Sequence, residues 1–403
     1  VKPLDFQDYF SDLTRRSGNT ALAELFKLTE RPDIISFAGG FPAHEMYLPE
    51  EAAEITRQLL AEKPFTVLGY SPTPGFSALR EFLAERQSHL GMPAAAGELM
   101  VTSGSLQGLD ILGRVFLNRG DRVIVEAPNY LGALSTFASY DVKFDAVPVD
   151  AEGLDTACLA ELLEQRRRQD SLPKLLYTVP TFQNPSGQTM SHRRRQELLT
   201  LADSYGFLII EDNAYGELRF AGDEVPTLKA LDTGKSVVYL GTFSKILSPG
   251  IRIGWIHAAT EIIERAVLVR QAMDQCSNSF GQLLALEFGR RGLIEKQINK
   301  TVLLLGERAR LTLDLLSREF SVGTTWTNPE GGFYTWVTLP PEVDTAKLLS
   351  HCIEKAKVAY VAGVAFYAGK GGKNQMRLCY SQPSLDDIAR GIPQLARALT
   401  TPL

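Results

Sequence analysis

The sequence predicts an α/β fold, in which a mainly parallel β-sheet is layered between helices and a smaller α+β unit follows. Apolar runs too short for helices alternate with helical patterns from about residue 99 to residue 257. The runs are continuous rather than alternating, as in parallel strands buried on both faces. After Phe320 the pattern changes to alternating strands between helices, which marks the second unit. At 403 residues the chain also exceeds what one hydrophobic core usually serves, so roughly two domains are expected. The expected divisions are an N-terminal segment, 1–45, that contributes to the small domain, a large domain over 46–300, and a small C-terminal domain over 301–403.

The chain opens on a polar stretch with helical character at Ala21–Leu28, followed by an extended run, Ile34–Phe37, that breaks into Gly39-Gly40. A glycine pair lets backbone approach a ligand closely, and it makes a plain turn equally well. Helices are predicted over Glu50–Glu62 and Ser77–Gly91, with the loop Tyr70-Ser71-Pro72-Thr73-Pro74-Gly75 between them. Leu99–Thr102 reads as a strand whose turn, Ser103–Gly108, enters a helix running to about Leu117. Arg122–Glu126, Leu175–Pro180 and Phe207–Asp212 are strands ending in Ala127-Pro128-Asn129-Tyr130, Thr181–Gly187 and Asn213-Ala214-Tyr215. Ser236–Leu240 stops at Gly241, and a hydroxyl-rich turn then presents Lys245, with Gly254–His257 as a further strand. Helical stretches cover about Thr260–Ala272 and Ser279–Leu316, the second broken near Gly289. In the last unit Gly331–Val337 and Gln375–Tyr380 read as strands, and Ala346–Ala356 and Leu385–Thr400 as helices.

Composition narrows the function classes. A net charge of -5 leaves no electrostatic footprint for nucleic acid. The basic runs Arg166-Arg167-Arg168 and Arg193-Arg194-Arg195 lie in polar helical segments and are expected to be solvated. Four cysteines (Cys158, Cys276, Cys352, Cys379) are scattered without Cys-x-x-Cys pairing, which suits a reducing cytoplasm and argues against zinc, so no metal is expected. Val1–Phe10 lacks the apolar core of a signal peptide, and no apolar stretch approaches the 18 residues or so of a membrane span.

Ser105, Tyr130, Asn184, Asp212 and Lys245 all fall at the carboxyl ends of strands, which is where sheets of this kind bind ligands. Taken singly, each has an ordinary structural reading: a surface lysine, a helix-capping aspartate, a turn at Asn184-Pro185, a core tyrosine. Their convergence is the strongest physical signal in the chain. Lysine forms Schiff bases with aldehydes when its pKa falls far enough to free the amine. A strand that stops in a Gly/Thr/Ser turn offers N–H groups and hydroxyls to an anion, and an arginine seven positions on, Arg252, can fork onto a phosphate.

Thr181–Gly187, Glu211-Asp212-Asn213-Ala214-Tyr215, the block from Ser244-Lys245 to Arg252, and Met376-Arg377-Leu378 occur in an order and at intervals that resemble the fold-type-I, pyridoxal-phosphate-dependent aminotransferases of classes I and II. The likeness covers essentially the whole chain and is greatest to the 2-aminoadipate aminotransferase subgroup, including Ser36-Phe37-Ala38-Gly39-Gly40 and Tyr70-Ser71-Pro72. It implies a large domain with a seven-stranded type of sheet and the cofactor pyridoxal 5′-phosphate. Lys245 would hold the cofactor and later shuttle a proton. Asp212 would pair with the protonated ring nitrogen, and Asn184 and Tyr215 would donate to the ring's phenolic oxygen. Tyr130 would lie against the ring face. Gly104, Ser105, Leu106, Ser244 and Arg252 would bind the phosphate at a helix N-terminus, with Thr242 as a further hydroxyl. Arg377 would grip the substrate α-carboxylate, helped by Asn184 and the Gly39-Gly40 backbone. Tyr70 would reach the phosphate of a partner subunit, which implies a homodimer with shared active sites.

One position departs from the lysine-biosynthetic members of the subgroup. They carry an arginine in the first helix that can pair with an acidic substrate side chain, and Ala23 stands at that position here. Branched-chain or aromatic donors become more plausible than 2-aminoadipate, with 2-oxoglutarate as the usual acceptor. Two other readings remain open: a C–S β-lyase on the same fold, and a regulator that would need a basic DNA-reading domain of its own.

Overall fold

Helical and strand signals resolve into three sheets in the computed structural model, which describes residues 4–16 and 33–400. The segment around Thr20–Ala23, including the expected first helix, lies outside the described residues. Strand β1 (Ile35–Ser36) precedes the strands of the large sheet: β2 (Leu99–Thr102), β3 (Arg122–Ala127), β4 (Lys143–Asp150), β5 (Gly153–Leu154), β6 (Leu175–Thr178), β7 (Leu208–Asp212), β8 (Val237–Thr242) and β9 (Gly254–His257). Their spatial order is β2-β9-β8-β7-β6-β3-β4-β5. Neighbours from β8 through β4 are parallel, and β9 runs antiparallel between β8 and β2. The implied seven strands are therefore present, with the two-residue β5 added at one edge.

Successive residues of the central strands serve opposite layers, which is why the strands read as unbroken apolar runs. Ile210 packs with Leu109, Leu112 and Phe137 on one face, whereas Ile209 packs with Leu159, Leu163 and Leu198 on the other. The helices Ser105–Phe116, Leu131–Ala138 and Thr260–Gln271 cover the first face, and Thr156–Arg168 and His192–Tyr205 the second.

The C-terminal part is built on an antiparallel sheet of β10 (Thr325–Trp326), β11 (Tyr334–Thr338), β13 (Val361–Ala362) and β14 (Gln375–Cys379), in the order β10-β11-β14-β13. Strand β12 (Val358–Ala359) pairs in parallel with β1, and the Cys379 amide donates to the Phe37 carbonyl. These bonds tie residues 35–38 to the C-terminal sheet and bring Gly40 against the pocket.

Several expectations need correction. Strand β4 has no counterpart in the sequence reading, because it alternates charged and apolar residues (Lys143, Asp145, Pro148) near the sheet edge and buries one face only. The helix break expected near Gly289 is present, at Arg291-Gly292, where Gly292 takes φ 66° between Ser279–Arg290 and Leu293–Glu319. That last helix runs without interruption across residue 300. The run Arg193–Arg195 is not uniformly solvated, since Arg194 is largely buried and Arg195 wholly so. Arg195 donates to the carbonyls of Pro180, Met190 and Pro226 and to the Thr181 hydroxyl, bracing the loop after β6 from beneath. Burial lowers its pKa to about 10 and raises that of Glu211, 3.9 Å away. No helix among the described residues is long and apolar enough to cross a membrane.

Candidate active site

The carboxyl ends of β6, β7 and β8 face a cavity of about 330 Å³, closed on the other side by β11, β14 and the Gly40 segment. It is lined by Gly40, Ser105, Leu106, Tyr130, Asn184, Asp212, Tyr215, Thr242, Ser244, Lys245, Arg252 and Arg377, which brings together most of the residues singled out in the sequence. Gly104 lies at its edge, where φ is 88° and a Cβ would stand 2.5 Å from an Arg252 guanidinium nitrogen. Tyr70 is the exception. Its side chain is 86% exposed and does not line this cavity within the chain.

Lys245 follows β8 and extends into the pocket, donating from Nζ to the Gly40 carbonyl at 2.7 Å. Removal of the amine from water lowers its pKa to about 8, and the charges of Arg377 and Arg252 act in the same direction. Asp212 ends β7. The Tyr177 hydroxyl donates to its Oδ2 at 2.8 Å, while its buried Oδ1 has no hydrogen-bond partner. Burial raises the Asp212 pKa to about 6, opposed by the Tyr177 hydrogen bond and the Lys245 charge. The carboxylate is thus ionised above about pH 6, with one oxygen free for a cationic partner.

Arg377, on β14, is 2% exposed and donates to the Ala38 carbonyl at 2.7 Å and to Asn184 Oδ1 at 2.9 Å. Its guanidinium carbon lies 4.3 Å from the Tyr334 ring centre and 5.0 Å from that of Phe366, and its buried Nε is unpaired. The Asn184 loop is fixed by Gln183, whose amide group donates to Glu126 and to the Pro128 carbonyl and accepts from the Ser186 N–H. Burial raises the Glu126 pKa to about 7 against the hydrogen bonds from Thr178, Gln183 and Val179. At the opposite end the Thr242 hydroxyl accepts from the Ser244 N–H and donates to the Ser244 hydroxyl, and Arg252 donates to the Ser103 carbonyl beside the start of the helix Ser105–Phe116.

Tyr177, Tyr334, Phe366 and Glu126 were not found by sequence reasoning. Tyr177 and Tyr334 sit in apolar strands and read as core, although a buried tyrosine hydroxyl needs a partner. That requirement, applied to a strand whose carboxyl end faces the pocket, is the signal that would have found Tyr177.

These residues fit pyridoxal 5′-phosphate by the chemistry of the donor set. A neutralisable lysine, an aspartate with a free buried oxygen, and a glycine turn with hydroxyls and an arginine at a helix N-terminus match an aldehyde, a protonated ring nitrogen and a phosphate respectively. Comparisons with known proteins agree. The chain is 42% identical over 397 residues to aromatic-amino-acid aminotransferase 1 of Thermococcus litoralis, covering 98% of this chain and 95% of that one. A solved kynurenine aminotransferase of Pyrococcus horikoshii, in complex with PMP, superposes with a TM-score of 0.94 at 41% identity, covering 98% of each chain. The α-aminoadipate aminotransferase of Thermus thermophilus, solved with N-(5′-phosphopyridoxyl)-L-leucine, gives a TM-score of 0.91 at 35% identity and 98% coverage of each chain. The family model for aminotransferase class I and II matches residues 32–395, and the chain belongs to that family.

Proposed function

We propose that this aminotransferase takes large apolar or aromatic L-amino acids as donors and a 2-oxo acid such as 2-oxoglutarate as acceptor, in a ping-pong reaction carried out by a homodimer. The enzyme is pyridoxal-phosphate-dependent. The observation that carries the substrate reading is the distribution of cations. Among the described residues lining the cavity only Lys245, Arg252 and Arg377 are basic, and the roles of cofactor attachment, phosphate binding and α-carboxylate binding occupy all of them. The other lining residues include Phe41, Leu131, Val179 and Ala214, which suit an apolar side chain.

The bound cofactor supplies an electron sink for the pair left on the substrate Cα when its proton is removed. Arg377 is ready to bind the carboxylate because Asn184, the Ala38 carbonyl and two aromatic rings already hold its guanidinium in one orientation. Lys245 Nζ, with its lowered pKa, can take the α-proton as a free amine and return it later. Asp212, held by Tyr177, keeps a negative charge beside the position assigned to the ring nitrogen. Steady-state kcat/KM for a panel of donors with 2-oxoglutarate tests the reading. Phenylalanine- or leucine-like donors should be used at least as well as 2-aminoadipate, and a strong preference for 2-aminoadipate overturns it.

The dimer rests on surface chemistry. Phe65, Leu68 and Tyr70 are 92%, 79% and 86% exposed within six positions of one another. A cluster of large side chains this accessible suits burial against a second subunit. Sedimentation of the holoenzyme should give twice the chain mass, and a fully active monomer contradicts the assignment.

A further inference from the structure

Tyr334 holds Arg377 through its ring, and its hydroxyl is hydrogen-bonded to Tyr215, which is assigned to the cofactor. The Tyr334 and Tyr215 hydroxyl oxygens are 3.0 Å apart in a buried position. Two hydroxyls carry two protons, and the bond between them uses one. The other proton belongs to whichever oxygen accepts, and both side chains line the cavity.

Two observations set the direction of the bond. The Arg377 guanidinium lies 4.3 Å above the Tyr334 ring, and a fixed cation over a phenol makes its proton the more readily donated. The cation nearest the Tyr215 ring, Lys245 Nζ, is farther away at 5.9 Å and carries a lowered pKa. The space for the Tyr334 hydroxyl is itself specific. A Cβ at position 40 would stand 2.2 Å from that oxygen, so Gly40 is what admits a tyrosine there. The same glycine's carbonyl accepts from Lys245.

We infer that Tyr334 is a positioning residue that acts through Tyr215: it donates to the Tyr215 oxygen, turns the Tyr215 proton into the cavity, and strengthens it as a donor to the cofactor. The inference rests on the reading that Tyr215 faces the cofactor's phenolic oxygen. Hydrogen bonds in a chain polarise one another, so a hydroxyl that accepts one bond donates a better one. A stronger donor at the phenolic oxygen favours the deprotonated form of the bound chromophore, which lowers the pH at which its visible band titrates. Tyr334→Phe removes this effect and should raise the midpoint.

The test is a pH titration of the visible band in purified holoenzyme for wild type, Tyr334→Phe, Tyr215→Phe and the double variant. Tyr334→Phe keeps the ring under Arg377 and should raise the midpoint by roughly a few tenths of a pH unit, because it removes the polarisation and orientation of the Tyr215 donor and leaves the donor itself. Tyr215→Phe should raise it further, and adding Tyr334→Phe to Tyr215→Phe should change nothing more. An unchanged midpoint in Tyr334→Phe overturns the inference, as does a rise that persists in the Tyr215→Phe background. Failure of the Tyr215 reading looks different, because Tyr215→Phe would then leave the midpoint at its wild-type value.

Discussion

Arg377 is already held in place by its own chain, and this has a measurable consequence. Its guanidinium lies over the Tyr334 and Phe366 rings and is hydrogen-bonded to Asn184 and the Ala38 carbonyl. Lysine keeps the charge but loses both the planar stack and the fork. Arg377→Lys should therefore cost about 1.5–3 kcal/mol of carboxylate recognition, roughly ten- to hundredfold in kcat/KM, and should do so for every donor. Donor-dependent losses would show that Arg377 reads the side chain instead. Lys245 offers a second test. With a pKa near 8 in place of the usual 10.5, half its amine is free at pH 8. The rate at which cofactor-free protein captures pyridoxal phosphate should rise with pH around that midpoint, and a midpoint above 10 would contradict the buried setting. Lys245→Ala should still bind cofactor but lose almost all turnover. Lys245 was readable because its turn places it at a strand end, and Arg377 because Met376-Arg377-Leu378 is one of the motifs that carry the family resemblance. Tyr177 and Tyr334 were not, because nothing local separates a core tyrosine from one that supports a catalytic group.

Among the elements, the turn from β2 into the helix Ser105–Phe116 was readable because glycine and serine at a strand end leave few other structures for it. Gly104 takes a φ of 88° that side chains rarely adopt, and a Cβ there would collide with Arg252. Gly104→Ala should weaken cofactor binding about tenfold or more, measured by equilibrium titration, while leaving the strands intact. Strand β4 was missed for the opposite reason, since an edge-side strand with Lys143 and Asp145 carries too little apolar pattern. The helix His192–Tyr205 shows how composition misleads. Three consecutive arginines read as a solvated face, yet Arg195 is buried against four acceptors and Glu211. Arg195→Met removes the buried cation beside Glu211, which keeps only the Leu228 and Lys229 amides as donors, and takes the Arg195 donors from the Met190 and Pro226 carbonyls. It should destabilise the fold by about 3–5 kcal/mol, read as a lower urea midpoint at unchanged slope.

For the molecule as a whole, the pocket exists because two sheets approach through a shared apolar core. Phe182, Tyr215, Phe243 and Trp255 from the large-sheet side meet Phe333, Tyr334 and Tyr380 from the C-terminal side. Strand–helix alternation announced the first part and its change after Phe320 the second, but no single segment could show that Arg377 and Asn184, 193 positions apart, would share a hydrogen bond. The specificity device suggested by Ala23 lies outside the described residues, and Ala23→Arg should shift preference towards 2-aminoadipate if the first helix lines the side-chain pocket. The central claim is amino transfer at Lys245, and one measurement tests it most directly: the amount of 2-oxo acid formed per active site when phenylalanine is added to holoenzyme without an acceptor. Transfer leaves the amino group on the cofactor, so one equivalent should form as the visible band disappears, and 2-oxoglutarate should restore the band. Continued production of 2-oxo acid without acceptor, or none at all with any donor, would contradict the account.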